Sequence, residues 1–318
     1  MINVMVTGCA GFIGHGISKK LIDKGCRVIG VDNLNHYYDK SLKIKRLKDL
    51  KSNRFIFYKK DIRDKSLQKI FLKYKIKYII NLAAQAGVRY SLKNPYAYYE
   101  SNLMGFGNIL ELSRKFNVKH LIYASSSSVY GLNKKLPFSE EDQVDNPTQV
   151  YAATKRANEL MAFSYSNLYN LPTTGIRFFT IYGPWGRPDM SIFLFAEKII
   201  SGKKLDLFDK GNNKRDFTFI EDATNILSKI IFNPSPKKIP HEIYNIGRGK
   251  NYKIKEMIKF LEKYLFKKAK IKYSKHKKED LKITKANNKK IVEQFKYKNF
   301  TTLENGIKSF VEWYKKYY

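Results

Sequence analysis

The sequence predicts an α/β protein: a doubly wound parallel sheet followed by a smaller C-terminal α/β lobe that carries substrate contacts. Three observations predict it. Short apolar runs alternate with longer helical patterns through the first half of the chain. A glycine-rich turn, Thr7-Gly8-Cys9-Ala10-Gly11-Phe12-Ile13-Gly14, joins the first apolar run to the first helical pattern. An acidic residue, Asp32, closes the second run 18 residues after Gly14.

Each element follows from its local pattern. Strands are expected at 2–6, 27–31, 54–58, 78–82, 120–124 and 173–178, where apolar residues cluster over a few positions. Helices are expected between them, at 12–24, 40–50, 65–74, 95–116 and 149–169. After about residue 183 the pattern loosens. Pro184, Gly186, Pro188, Pro234, Pro236 and Pro240 punctuate it, and helices are expected at 190–201, 221–232, 253–265 and 302–316. We place a nucleotide-binding domain at 1–183 and a substrate lobe at 184–318, with part of the lobe free to rejoin the main sheet.

Composition narrows the class. With 318 residues and 43% hydrophobic content, the chain can bury a large core. Met1 leads directly into an apolar strand, and no apolar run approaches the ~20 residues that span a bilayer. Cys9 and Cys26 are too few for a disulfide framework, so a reduced, cytoplasmic protein without a membrane partner is expected. The net charge of +33 comes from 61 Lys and Arg against 28 Asp and Glu. The lysines are scattered and no nucleic-acid motif accompanies them, so they read as a basic surface rather than a nucleic-acid site. Such a field still steers acidic small molecules inward.

The glycine loop has the character of a Rossmann nucleotide site. Gly8, Gly11 and Gly14 lack a Cβ, which permits a tight turn, close approach of a pyrophosphate and close helix packing. The helix that begins at Phe12 and Ile13 then offers free N–H groups to the phosphates. Asp32 can accept the ribose hydroxyls of NAD and would repel the extra phosphate of NADP, although Lys40 and Lys43 leave NADP open.

The catalytic candidates lie further on. Tyr151 and Lys155 are four apart and share a helical face. A Tyr of pKa about 10 is a poor base at neutral pH, but a neighbouring ammonium favours its phenolate. The run Ser125-Ser126-Ser127-Ser128 closes the fifth expected strand, at the sheet edge where ligands bind in such folds. The five histidines are dispersed and no metal-ligand spacing emerges, so no metal is expected.

Taken together, these motifs resemble the extended short-chain dehydrogenase/reductase family, and within it the UDP-glucuronate 4-epimerases. The resemblance covers nearly the whole chain. It rests on the glycine loop, Val31-Asp32-Asn33-Leu34-Asn35, Asp61-Ile62, Leu82-Ala83-Ala84-Gln85-Ala86-Gly87-Val88-Arg89-Tyr90-Ser91, the four serines, Tyr151–Lys155, and the stretch from Arg177 through Trp185-Gly186-Arg187-Pro188-Asp189-Met190. The last stretch is the most specific.

The resemblance implies roles. Tyr151 is the base, Lys155 binds the nicotinamide ribose and Ser126 assists at the 4-hydroxyl. Asn33 accompanies Asp32 at the cofactor, Asp61 and Ile62 edge the adenine, and Leu82, Ala83, Ala84, Asn102 and Phe179 lie near the cofactor. Ser127, Ser128, Thr180 and Arg187 surround the sugar carboxylate, and Arg215 meets the diphosphate. A surface ion pair is the plain alternative for Arg187, and loop stabilisation for Arg215. Two departures stand out: Asn81 where relatives have His, and Lys278-Glu279-Asp280 where they have Pro-Gly-Asp. A homodimer built from the 95–116 and 149–169 helices is implied as well.

The implied reaction converts UDP-glucuronate to UDP-galacturonate. Tyr151 takes the 4-hydroxyl proton while hydride leaves C4 for NAD; the 4-keto sugar turns and hydride returns to its other face. Rival readings are a UDP-glucuronate decarboxylase, a 4-epimerase of neutral UDP-hexoses, and a non-catalytic NAD-sensing or RNA-binding protein. A dehydratase would need an acidic pair where Ser127 and Ser128 stand.

Overall fold

The computed structural model describes residues 1–274 and 282–318. All six expected strands form: β1 (Asn3–Thr7), β2 (Arg27–Asp32), β3 (Phe55–Lys59), β4 (Tyr78–Asn81), β5 (His120–Ser126) and β6 (Thr173–Phe178). Their pairings are parallel, in the order β3-β2-β1-β4-β5-β6. The order reverses at β1, which places the glycine loop at the switch point of a doubly wound sheet. Val4, Met5, Val6, Ile29, Ile79, Ile80, Leu121 and Ile122 are all fully buried, as expected of strands covered on both faces.

The crossover helices are α1 (Phe12–Asp23), α2 (Lys40–Asp49), α3 (Leu67–Tyr74) and α6 (Val150–Tyr169). The helix expected at 95–116 is built in three pieces: α4 (Tyr96–Tyr98), a π-helical stretch over Tyr99–Met104, and α5 (Gly105–Lys115). The wide turn sets Asn102 inward, where it is 1% exposed.

The second half contains more strands than its sequence pattern predicts. β10 (His241–Ile246) extends the main sheet to seven strands, beside β6. A three-stranded sheet joins β7 (Thr180–Tyr182), β9 (Lys214–Phe219) and β11 (Asn251–Lys253). β8 (Lys204–Phe208) pairs in parallel with β12 (Lys270–Ser274). The expected helices are α7 (Ser191–Ile200), α8 (Ile220–Ile230), α9 (Ile254–Leu265) and α11 (Leu303–Tyr317); a short α10 (Lys289–Phe295) joins them.

Two compact units result, and they are interleaved along the chain. The first comprises residues 1–133, 142–178 and 224–244; the second comprises 134–141, 179–223 and 245–318. The first holds the body of the main sheet. Within the second, Phe193 of α7 packs edge-on against Phe310, Trp313 and Tyr314 of α11. No helix among the described residues is long and apolar enough to cross a membrane.

Candidate active site

The glycine loop leaves β1 and turns directly into α1. A Cβ on Gly14 would lie 1.9 Å from the Gly8 carbonyl oxygen, and one on Gly8, at φ +69°, would lie 2.7 Å from the Ala83 nitrogen. Both positions therefore require glycine, one for packing and one for backbone conformation as well. Gly11 caps α1 without a side-chain oxygen, and no acid sits in the first turn. Phe12 is buried and Ile13 partly so. The N-terminal amides of α1 are thus available to an anion in a positive dipole field. This cradle fits a dinucleotide pyrophosphate.

Asp32 ends β2 beside it. Its Oδ2 accepts the Ala10 amide at 3.1 Å and its Oδ1 accepts the Leu34 amide at 2.8 Å. Burial pushes the carboxyl up from its ordinary value, against those amides and the charges of Lys43 and Arg46, which pull it down. Lys43, which left NADP open on sequence, instead places Nζ on the Asn35 carbonyl at 2.9 Å and side-chain oxygen at 2.7 Å. Exposed Asn33 donates to Asp61 Oδ2 at 2.9 Å. Burial pushes the Asp61 carboxyl up, but bonds from Arg63 and Asn33 outweigh it and hold the group low. Ile62 is buried beside it.

The β4 end is joined to the glycine loop through Thr7. Its hydroxyl donates to Asn81 Oδ1 at 2.6 Å and accepts the Ala83 amide at 3.2 Å; the Leu82 amide donates to the Thr7 carbonyl at 3.2 Å. Asn81, one of the two departures, is 5% exposed and serves this buried bond. Ala84 follows, partly buried. Asn102 accepts the Gln85 amide at 2.9 Å and donates to the Gln85 carbonyl and to Thr154 Oγ1, at 3.1 and 3.0 Å. Asn102 therefore fastens the loop after β4 to α6.

Tyr151 stands in the first turn of α6, partly buried, its ring 6.0 Å from that of Tyr98 in an edge-on contact. Lys155 lies one turn further on, 4% exposed, and its Nζ donates to the Ala124 carbonyl at 2.8 Å. Burial alone lowers its pKa to about 8. Ser126 ends β5; its Oγ accepts the Ser128 amide at 3.2 Å and donates to Ser128 Oγ at 3.1 Å. Ser127 and Ser128 form the short helical turn that follows, both partly buried. Within the first unit, the serines and the Tyr151 helix thus gather at the C-terminal edge of the parallel strands.

The Lys155 environment makes a testable trade. Its folded pKa lies below the unfolded value near 10.5, so the buried charge costs stability at any pH below about 8. That cost fades as pH rises from about 8 towards 10.5. Lys155→Met is expected to stabilise the cofactor-free protein by about 1–3 kcal/mol at neutral pH, less the lost bond to Ala124, while sharply lowering turnover. Urea denaturation at neutral and high pH checks it; equal effects at both pH values would contradict the burial argument.

A buried network lies next to this site, outside the residues expected from the sequence. Arg177 Nε and Nη2 meet both carboxylate oxygens of Glu159 at 2.9 Å, and the two side chains are 3% and 2% exposed. Ser125 donates to the same carboxylate at 2.6 Å, and Arg177 reaches the Tyr130 hydroxyl at 3.1 Å. Glu159 follows Tyr151 and Lys155 at four-residue spacing on the inner face of α6. A carboxylate at that phase was the available signal.

The remaining expected residues belong to the second unit. Phe179 is buried and donates its amide to the Ile246 carbonyl at 3.0 Å. Thr180, partly buried, opens β7 opposite Phe217. Arg187 is not open to a ligand in the simple way expected: Nε and Nη2 grip both oxygens of Asp189 at 2.9 and 2.5 Å. Arg215 Nη1 donates to the carbonyls of Lys214 and Lys282 at 3.0 and 3.3 Å. Beside it, buried Asp216 accepts amides from Arg248, Gly249 and Ala286, which ties two chain segments to β9. Thr284 Oγ1 accepts the Asp216 amide at 3.2 Å. Lys278-Glu279-Asp280 lies outside the described residues. No group of three metal-ligating side chains occurs among the described residues.

Comparison with known proteins gives this arrangement a family. The model of the NAD dependent epimerase/dehydratase family matches residues 4–247. The chain belongs to that family. Among family members, it is 45% identical to protein CapI of Staphylococcus aureus over 100% of this chain and 99% of that one. It is 42% identical to UDP-glucuronate 4-epimerase 4 of Arabidopsis thaliana, over 100% of this chain and 76% of that one. The UDP-glucuronic acid 4-epimerase of Bacillus cereus, solved with UDP-glucuronic acid and NAD, superposes with a TM-score of 0.93 at 30% identity, covering both chains fully.

Proposed function

We propose that the chain is an NAD-dependent 4-epimerase of a UDP-uronic acid, interconverting UDP-glucuronate and UDP-galacturonate. The observation that carries the reading is a Tyr151–Lys155 pair and Ser126 at the edge of a sheet whose glycine cradle and Asp32 fit NAD. The likeness to the Bacillus cereus enzyme along the whole of both chains supports the substrate. NAD, when bound, supplies the hydride acceptor and donor at C4.

The chain's own residues supply the rest. Tyr151 takes the proton from the 4-hydroxyl and later returns it; Ser126 holds the same oxygen by hydrogen bonding. Lys155 places a cation near the base and fixes the cofactor ribose. Asp61 and Ile62 border the adenine, while Asn33, Leu82, Ala83, Ala84, Asn102 and Phe179 support the cofactor pocket. Ser127, Ser128, Thr180 and Arg187 serve the sugar carboxylate, and Arg215 serves the diphosphate. These individual roles rest on the matching motifs.

Helix α6 and the turn before α5 expose Met104, Leu160, Phe163, Leu168 and Tyr169. An apolar stripe of this kind suits burial against its copy in a homodimer. A solution mass near twice 37.2 kDa tests that assembly. We place the enzyme in the cytoplasm.

Arg187 supplies a test of the uronate reading. A guanidinium fork can hold a carboxylate through two charge-assisted bonds, as it already holds Asp189. Arg187→Ala is expected to reduce kcat/KM for UDP-glucuronate by an amount equivalent to about 2–5 kcal/mol, while any turnover of UDP-glucose stays nearly constant. Equal losses on charged and neutral sugars would mean that Arg187 only braces Asp189.

A further inference from the structure

Arg46 is an arginine with no exposed surface, in a helix whose other basic residues are mostly at the surface. Its Nη1 donates to the Ala10 carbonyl at 2.9 Å and to the Tyr38 hydroxyl at 2.7 Å, and the guanidinium lies over the Tyr38 ring at 5.7 Å. The Ala10 amide, at the other end of the same residue, donates to Asp32. The middle of the glycine loop is therefore gripped from both sides: its N–H by an acid on β2, its C=O by a base on α2.

We propose that Arg46 is a positioning residue of the cofactor site, which fixes the glycine loop through the Ala10 carbonyl and supplies, with Lys43, one of two buried cations that balance Asp32. The inference rests on the NAD reading above. A fully buried guanidinium is costly unless its donors and charge are used, so its place behind a phosphate loop calls for a function there. The charged and titratable groups around Asp32 are few. Lys43 and Arg46 face it from α2, and the Cys9 thiol faces it from the loop. On the β3 side the Lys60 amide donates to the Asp32 carbonyl at 3.1 Å, while its ammonium turns to Asp64 at 2.9 Å. Lys43 is held by Asn35 and by the Tyr38 ring at 4.9 Å. Removing Arg46 thus frees the loop carbonyl and strips one of two cations from a buried carboxyl that burial already pushes towards its neutral form.

The test uses the full chain, freed of nucleotide, in wild-type, Arg46→Met and Arg46→Lys forms. Calorimetric titration with NAD, and separately with UDP, is run from about pH 5.5 to about pH 8. Arg46→Met is expected to weaken NAD at least about tenfold at the upper pH, and further towards acid, since the carboxyl that burial pushes up then has one cation fewer to hold it ionised. UDP affinity is expected to hold. Arg46→Lys keeps the charge without the fork, so it should bind NAD with intermediate affinity and a pH profile as flat as wild type. NAD affinity unchanged in both variants would overturn the proposal. Parallel loss of NAD and UDP binding with no added pH dependence would overturn it too, since that marks general unfolding. A wild-type protein that binds no NAD would sink the cofactor reading and this inference with it, whereas normal wild-type binding isolates Arg46.

Discussion

Arg177→Met is expected to lower folding stability by about 3–5 kcal/mol at neutral pH, one of the two largest effects anticipated for a single substitution here. The change leaves the Glu159 carboxylate buried at 2% exposure without its bidentate partner. Burial alone would raise the Glu159 carboxyl; Arg177, with Ser125 and Arg156, more than offsets it and holds the group below its ordinary value. A depressed carboxyl contributes stability above its unfolded pKa and loses it as pH falls through the folded one. The difference between wild type and variant should therefore be full at neutral pH and shrink in acid. Urea midpoints at both pH values check it. A double Arg177→Met, Glu159→Gln variant should recover part of the loss, because the buried charge, left with only the 3.2 Å contact to Arg156 as an ion pair, is gone. A single variant as stable as wild type would mean that the pair is dispensable to the core beneath Ser125 and Ser126.

The second large effect concerns the chemistry itself. Tyr151→Phe removes one hydroxyl from a side chain whose ring packs against Tyr98, so the fold and NAD binding should survive. Turnover should fall roughly a hundredfold to ten-thousandfold, the usual loss on removing a positioned base. Single-turnover assays on UDP-glucuronate, with NAD affinity measured alongside, separate the two effects. Near-normal epimerisation would move proton transfer to another group.

Much of this site was legible in the sequence because its logic is local. The glycine spacing, the acid at the end of the second strand and the Tyr151–Lys155 step each follow from a single turn or helix. All six expected strands of the main sheet formed, because residues such as Val4, Ile79 and Leu121 are buried on both faces and leave an uninterrupted apolar signal. What escaped depends on distant partners. β8 and β12 pair across more than sixty residues, and β12 is mostly exposed, so no alternation marks it. The 95–116 pattern reads as one helix; the π turn arises where Asn102 must reach Gln85 and Thr154. Arg46 sits in a lysine-rich helix that reads as a solvated face, and its burial becomes intelligible through partners such as Tyr38 and the Ala10 carbonyl, which lie outside that helix. Arg187 was expected to await a carboxylate. It already holds one, Asp189, two residues away, which is the ion pair that stood as its plain alternative.

In the proposed reaction this site inverts C4 of a uronate without net oxidation. The most direct measurement incubates the purified protein with UDP-glucuronate and NAD and resolves the products by chromatography and NMR. UDP-galacturonate is expected, approaching the same mixture when the reaction starts from either sugar, with no net build-up of NADH. A UDP-pentose with released carbon dioxide, or unchanged UDP-glucuronate, would contradict it.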